Sequence, residues 1–230
     1  MKSILSIELL KNKKERVVSS ARSADETHLF SIFQATLICL LLSLTLGLFA
    51  DPLADSYQLE ANKEFAKSLE VMESLSKENP NDYFIQLRTG WVALIKGDFT
   101  KSSQYYKKAT LLAPNAIEPR LGNVRALLAL GNYKQVDMDC RTILKQDSKN
   151  YFARSTLAYA NYVLANYKEA EKYYESITND YPADTEMLIG LGWSQLKQGN
   201  KAKAKVVFAF LLKIIPNEER VSSGAYYANN

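Results

Sequence analysis

Two kinds of hydrophobic pattern divide the chain. From Leu29 to Ala50 it is apolar almost without interruption, and no Asp, Glu, Lys or Arg occurs between Glu26 and Asp51. Beyond residue 51, apolar residues recur in steps of three and four, the period of helices that bury one face. Met72 and Leu75, Tyr106 and Ala109, Cys140 and Ile143, Tyr174 and Ile177, Phe208 and Leu211 are such pairs, each 34 residues after the last.

Punctuation keeps the same period. Pro80, Pro114, Pro182 and Pro216 fall on it, with Ser148 at the missing beat. Gly97, Gly131 and Gly199 share another column, with Ala165 in its gap. The next residue is Glu64, Asp98, Asn132, Asn166 or Asn200, mostly helix-capping types. This spacing predicts helices over 65–78, 84–96, 99–113, 118–130, 133–147, 152–164, 167–181, 186–198 and 201–215. Asp82, Asn150 and Asp184 stand where caps are needed, and Asp51-Pro52 reads as a cap before a first-turn proline.

The stretches GWVALIKGDFTKSSQYYKKATLLAP (90–114), ANYKEAEKYYESITNDYP (165–182) and GLGWSQLKQGNKAKAKVVFAFLLKIIP (190–216) resemble the tetratricopeptide repeat family. The resemblance runs over about residues 49–218. It implies an all-α fold, an α-solenoid of about five helix pairs in which each pair touches only its neighbours. Val124, where the family often has glycine, and Ser148 depart from its pattern, and the first repeat has a short opening helix.

The apolar stretch sets the expected organisation. As a helix its 22 residues rise about 33 Å, enough for the hydrocarbon core of a bilayer. The six bases Lys2, Lys11, Lys13, Lys14, Arg16 and Arg22 precede it, whereas Asp51, Asp55 and Glu60 follow. The excess of bases on the leading side keeps that side in the cytoplasm. The expectation is a cytoplasmic tail (1–28), a single transmembrane helix (29–50), a repeat domain (51–218) and a C-terminal tail (219–230). In a bacterium this is an inner-membrane protein with its repeats in the periplasm. The alternative is a signal sequence cleaved at Ala50, which releases a soluble exported protein.

Composition narrows the chemistry. The charge of +4 is mild, so no nucleic-acid partner is expected. The one histidine, His28, precedes the apolar segment and shares no site with the repeats if that segment spans a membrane. Neither a His-based nucleophile arrangement nor a glycine-rich phosphate loop is present. Cys140 sits in a core column, and Cys39 lies within the apolar stretch. No enzyme, cofactor or metal is expected.

A binding surface is the sharper expectation. The resemblance implies that the first helix of each pair lines a concave groove that holds a peptide or partner helix. One column of it reads Tyr57, Trp91, Arg125, Tyr159 and Trp193, with Phe84 and Tyr162 nearby, and these are residue types enriched at binding hot spots. The plainer reading is that the aromatics fill space between helices. Only Arg88, Arg120 and Arg125 lie near enough for a carboxylate clamp, which the aromatic column disfavours. A second surface is expected on the last repeat helix. There Val206, Ala209 and Phe210 occupy columns that are mostly polar or charged in earlier repeats. Either residues 219–230 fold over this helix or another chain does, and Gly224 in a short tail favours another chain. The chain therefore reads as a membrane-anchored scaffold for envelope complexes, with a non-catalytic subunit of a membrane enzyme as an alternative.

Overall fold

The computed structural model describes residues 51–230, and those from Pro52 to Asn230 form one compact unit. The expected cytoplasmic tail and membrane segment lie outside the described residues. Among the described residues no helix is long and apolar enough to cross a membrane.

The described unit has eleven helices. They are α1 (Pro52–Ala61), α2 (Phe65–Glu78), α3 (Tyr83–Lys96), α4 (Phe99–Leu112), α5 (Glu118–Ala129) and α6 (Tyr133–Gln146). They continue as α7 (Tyr151–Val163), α8 (Tyr167–Asp180), α9 (Thr185–Lys197), α10 (Lys201–Ile214) and α11 (Glu219–Asn229). Each packs on its chain neighbours, and first helices also touch first helices at α3–α5, α7–α9 and α9–α11. The order is that of a solenoid of five pairs plus one closing helix.

Capping sets the starts. Asp82, Asn150 and Asp184 accept hydrogen bonds from the backbone N–H of Ile85, Ala153 and Met187. Asp98 and Asn132 do the same for second helices, whereas Glu64, Asn166 and Asn200 make no such bond. The Asn166 amide turns back to Asn161 instead. Within each pair the chain reverses through a left-handed residue. Gly97, Gly131 and Gly199 hold this place at φ of 88°, 68° and 81°, and Lys63 and Ala165 hold it at 62° and 60°.

Packing between pairs follows one rule. The column Met72, Tyr106, Cys140, Tyr174, Phe208 is buried throughout. Its rings fit where first helices present glycine. Tyr106 lies between Gly90 and Gly122, Tyr174 against Gly190, and Phe208 between Gly192 and Gly224. A Cβ would meet ring atoms at 2.3 Å on Gly122, 2.4 Å on Gly190 and 2.2 Å on Gly224. Where the column is not aromatic, the facing position in register is Arg88 after Met72 and Thr156 after Cys140. This rule corrects the expectation for 219–230. Gly224 does not weaken the tail; it admits the Phe208 ring and lets α11 seat. Val221, Ala225 and Ala228 then close the last core. Val206, Ala209 and Phe210 stay exposed on the other side of α10.

Polar ties hold helices together within and between pairs. Arg154 is buried and reaches Asp180 at 2.6 Å, together with the Ser176 carbonyl. Arg141 holds Asp137 by two hydrogen bonds, and Asn161 donates to the same carboxylate.

Candidate peptide-binding groove

The face built by first helices carries every residue expected to line the groove, but the structure divides them into three clusters. At the N-terminal end, the Arg88 guanidinium lies 3.7 Å from the centre of the Tyr57 ring. Glu60 pairs with Arg88 and accepts a hydrogen bond of 3.0 Å from the Trp91 indole. Tyr57, Phe84 and Trp91 remain exposed. In the middle, Arg125 stacks 4.4 Å from the Phe152 ring centre, and Tyr159 meets Tyr133 edge-on at 6.0 Å. Arg125 makes no ion pair among the described residues, so its charge is open to a partner.

The third cluster surrounds a cavity of about 570 Å³ between α7 and α9. Tyr159, Tyr162 and Trp193 come together here, joined by Tyr174, Met187 and Ile189 as apolar wall. Ser155, Thr156, Glu186, Lys197 and Arg220 supply polar edges. A side chain of any size up to an aromatic ring fits such a space, with hydrogen-bonding groups at its rim. Burial and the neighbouring Tyr167 push the Tyr162 hydroxyl upward in pKa, and the bond with Tyr133 raises that of Tyr159. Both therefore stay neutral hydrogen-bonding groups at neutral pH.

Trp193 is less available than its column suggests. Its indole donates to the Arg220 carbonyl at 3.1 Å, and its ring touches Phe208 and Tyr227 edge-on. Arg220 grips Glu186 with two bonds of 2.9 and 2.8 Å, which holds the Glu186 carboxyl below its ordinary pKa. Half of Trp193 therefore belongs to the seat of α11. The plainer reading of the aromatics holds for this residue in part, whereas Tyr57, Phe84, Trp91 and Tyr159 face solvent.

Sequence reasoning missed Ser155, Met187, Glu186, Lys197 and Arg220. Ser155 could have been found, since it lies 34 residues after Leu121 and 34 before Ile189 in one inward column. Glu186 and Arg220 share the column of Phe84 and Phe152. Their mutual pairing, and hence their place in the groove, needed α11. Among the described residues no group of His, Cys, Asp and Glu could hold a metal ion. Cys140 is buried, and its thiol is pushed up to about 12 by desolvation, with Asp139 and Asp137 adding to the effect.

Known proteins share this fold. A tetratricopeptide repeat family model matches residues 86–116. The DnaJ protein P58IPK homolog B of Oryza sativa subsp. japonica is 30% identical over 134 residues, and homolog A is 29% identical over 134. These stretches are 56% of this chain but only 28% of each relative, so the chain spans little more than a quarter of their length. A tetratricopeptide repeat protein from Parabacteroides merdae ATCC 43184 superposes with a TM-score of 0.68 at 16% identity, covering 77% of this chain and 71% of that one. YrrB, described as a repeat protein with an unusual peptide-binding site, also gives 0.68, at 13% identity over 76% of this chain and 90% of its own. MamA from Desulfovibrio magneticus RS-1 gives 0.66 at 14% identity, over 74% and 98%. At such identities the likeness is one of fold.

Proposed function

We propose that this chain, a tetratricopeptide-repeat solenoid, is a non-catalytic scaffold that holds a segment of another protein along its first-helix face. The observation that carries this is the cavity between α7 and α9, continuous in the helix order with exposed Tyr159. Exposed aromatic side chains bring large contact area at low entropic cost, which suits a face made for a partner. The peptide-binding site described for YrrB lends support by analogy of fold.

The finer reading is that residues 29–50 anchor the scaffold in an inner membrane. The tail 1–28 is then cytoplasmic, the repeats lie in the periplasm, and the work is assembly or upkeep of envelope complexes. The uncharged length of the segment and the bases before it support this. Release as a soluble exported protein, or service as a subunit of a membrane enzyme complex, are the alternatives. Mass spectrometry of the mature protein distinguishes the first of these, because an amino terminus at Asp51 overturns the anchor.

Affinity capture with the full chain tests the groove. Trp91→Ala and Tyr159→Ala should lose bound proteins that the unaltered chain retains. Full retention of every partner by the double variant overturns the reading. Trp193→Ala is a poor test, because it also unseats α11.

A further inference from the structure

The outward face of α10 is apolar and lies apart from the residues of the groove. Its buried side is Ala204, Phe208 and Leu211. On the opposite side Ala202, Val206, Ala209 and Lys213 follow one another in steps of four, three and four, with Phe210 beside them. Val206 is 71% exposed and Phe210 46%. Corresponding positions on earlier second helices are mostly polar: Glu70 and Glu73 on α2, Gln104 and Lys107 on α4, Lys172 and Glu175 on α8. α10 has no acidic residue and four lysines, 201, 203, 205 and 213. Only Lys203 is paired among the described residues, with Glu171.

We propose that this face of α10 rests on an anionic bilayer surface. Protruding apolar side chains ringed by unpaired cations are what such a surface takes up. The apolar groups enter the boundary of headgroups and acyl chains, while the long lysine stems keep their charges at the phosphates. A second copy of the same face is disfavoured as the occupant by charge, since a twofold contact sets lysine against lysine. An acidic protein is disfavoured by residue type. Lysine is depleted at protein interfaces, where arginine and larger aromatics dominate, and α10 has no arginine. The attraction is electrostatic at long range and therefore falls with salt.

The test places an environment-sensitive dye on the face itself, so the readout does not depend on residues 1–50. The full chain carries Ala209→Cys with Cys39→Ser; Cys140 is buried and stays unlabelled. It is presented with vesicles of phosphatidylcholine alone or with about one-third phosphatidylglycerol. The expected result is a blue shift and a gain in intensity on the anionic vesicles only, weakening as salt is added. Lys205→Glu with Lys213→Glu should remove most of the blue shift on the anionic vesicles. Phe210→Glu should abolish the blue shift, with far-ultraviolet circular dichroism confirming that the variants are folded. No change on anionic vesicles, or an equal change on both, overturns the proposal. So does an equal response to polyglutamate, which assigns the face to an acidic protein. A lipid-free shift that grows with protein concentration assigns it to a second copy and equally overturns the proposal.

Discussion

Adding one methyl group at Gly224 should loosen the end of the solenoid. An alanine Cβ there would stand 2.2, 2.3 and 2.7 Å from three atoms of the Phe208 ring. The ring cannot retreat, because Gly192 presses it from the other side and a Cβ there would already be at 2.8 Å. Two ways of relief remain. Forcing the ring and helix apart in place costs about 1–3 kcal/mol, as for other overpacked cores. Lifting α11 exposes Val221, Ala225 and Ala228, and the buried valine alone is worth about 1.5–3 kcal/mol. The cheaper route costs about 1–3 kcal/mol, and alanine gains about 1 kcal/mol over glycine inside a helix, so Gly224→Ala should destabilise by up to about 2 kcal/mol, or about 2–4 °C in melting temperature per kcal/mol. Trp193 reports the event, because its ring and indole N–H both touch the α11 seat. Its emission should shift to the red before the main transition in urea, read in a Trp91→Phe background. Phe208→Met should rescue the variant, since Met72 fills this column opposite a residue larger than glycine. The double-mutant coupling should be at least about 1 kcal/mol. A net gain in stability for Gly224→Ala, or strict additivity with Phe208→Met, refutes the ring-in-glycine account.

Three further expectations follow from other features. Ala165→Gly removes a left-handed non-glycine backbone and should stabilise the chain by about 1 kcal/mol, seen as a higher urea midpoint; an unchanged or lower midpoint counts against it. The Cys140 thiol, pushed up to about 12 by burial, should resist iodoacetamide in the native Cys39→Ser chain and react only on unfolding. At Asp137 burial alone would raise the pKa, but hydrogen bonds from Arg141 and Asn161 outweigh it, and Glu171 is lowered likewise by Gln198, Gln195 and Lys203. The stability they add is complete above about pH 5, where unfolded carboxylates are ionised, and is lost as pH falls through the lower folded values. Asp137→Asn should flatten that acid limb in urea midpoints, and an identical slope would speak against the pairing.

Local structure was open to reading because it repeats. Helix limits set by the 34-residue spacing agree with the observed ones to within one residue, from α2 to α10. α11 was legible too, on the same spacing. Tyr227 lies 34 residues after Trp193, Gly224 lies 34 after Gly190, and Glu218 lies 34 after the cap Asp184. Glycine as a helix breaker masked the signal, because its use as a socket shows only once Phe208 is in place. The groove was legible as a column and not as a set of contacts. Glu60 binding both Arg88 and Trp91 is an arrangement across helices that no single periodicity encodes.

The alternation of rings and sockets makes the repeats non-interchangeable. Each boundary is a lock cut for the ring before it, so the chain can change length only where keys still match. Excising 115–148 would bring Tyr106 opposite Thr156, and excising 149–182 would set Cys140 opposite Gly190, a collision and a void. Removing both together, 115–182, joins Tyr106 to Gly190 and restores a proper fit. Removing 183–216 alone also fits, because it sets Tyr174 opposite Gly224, so a shorter relative should lack units only where a ring still meets a glycine.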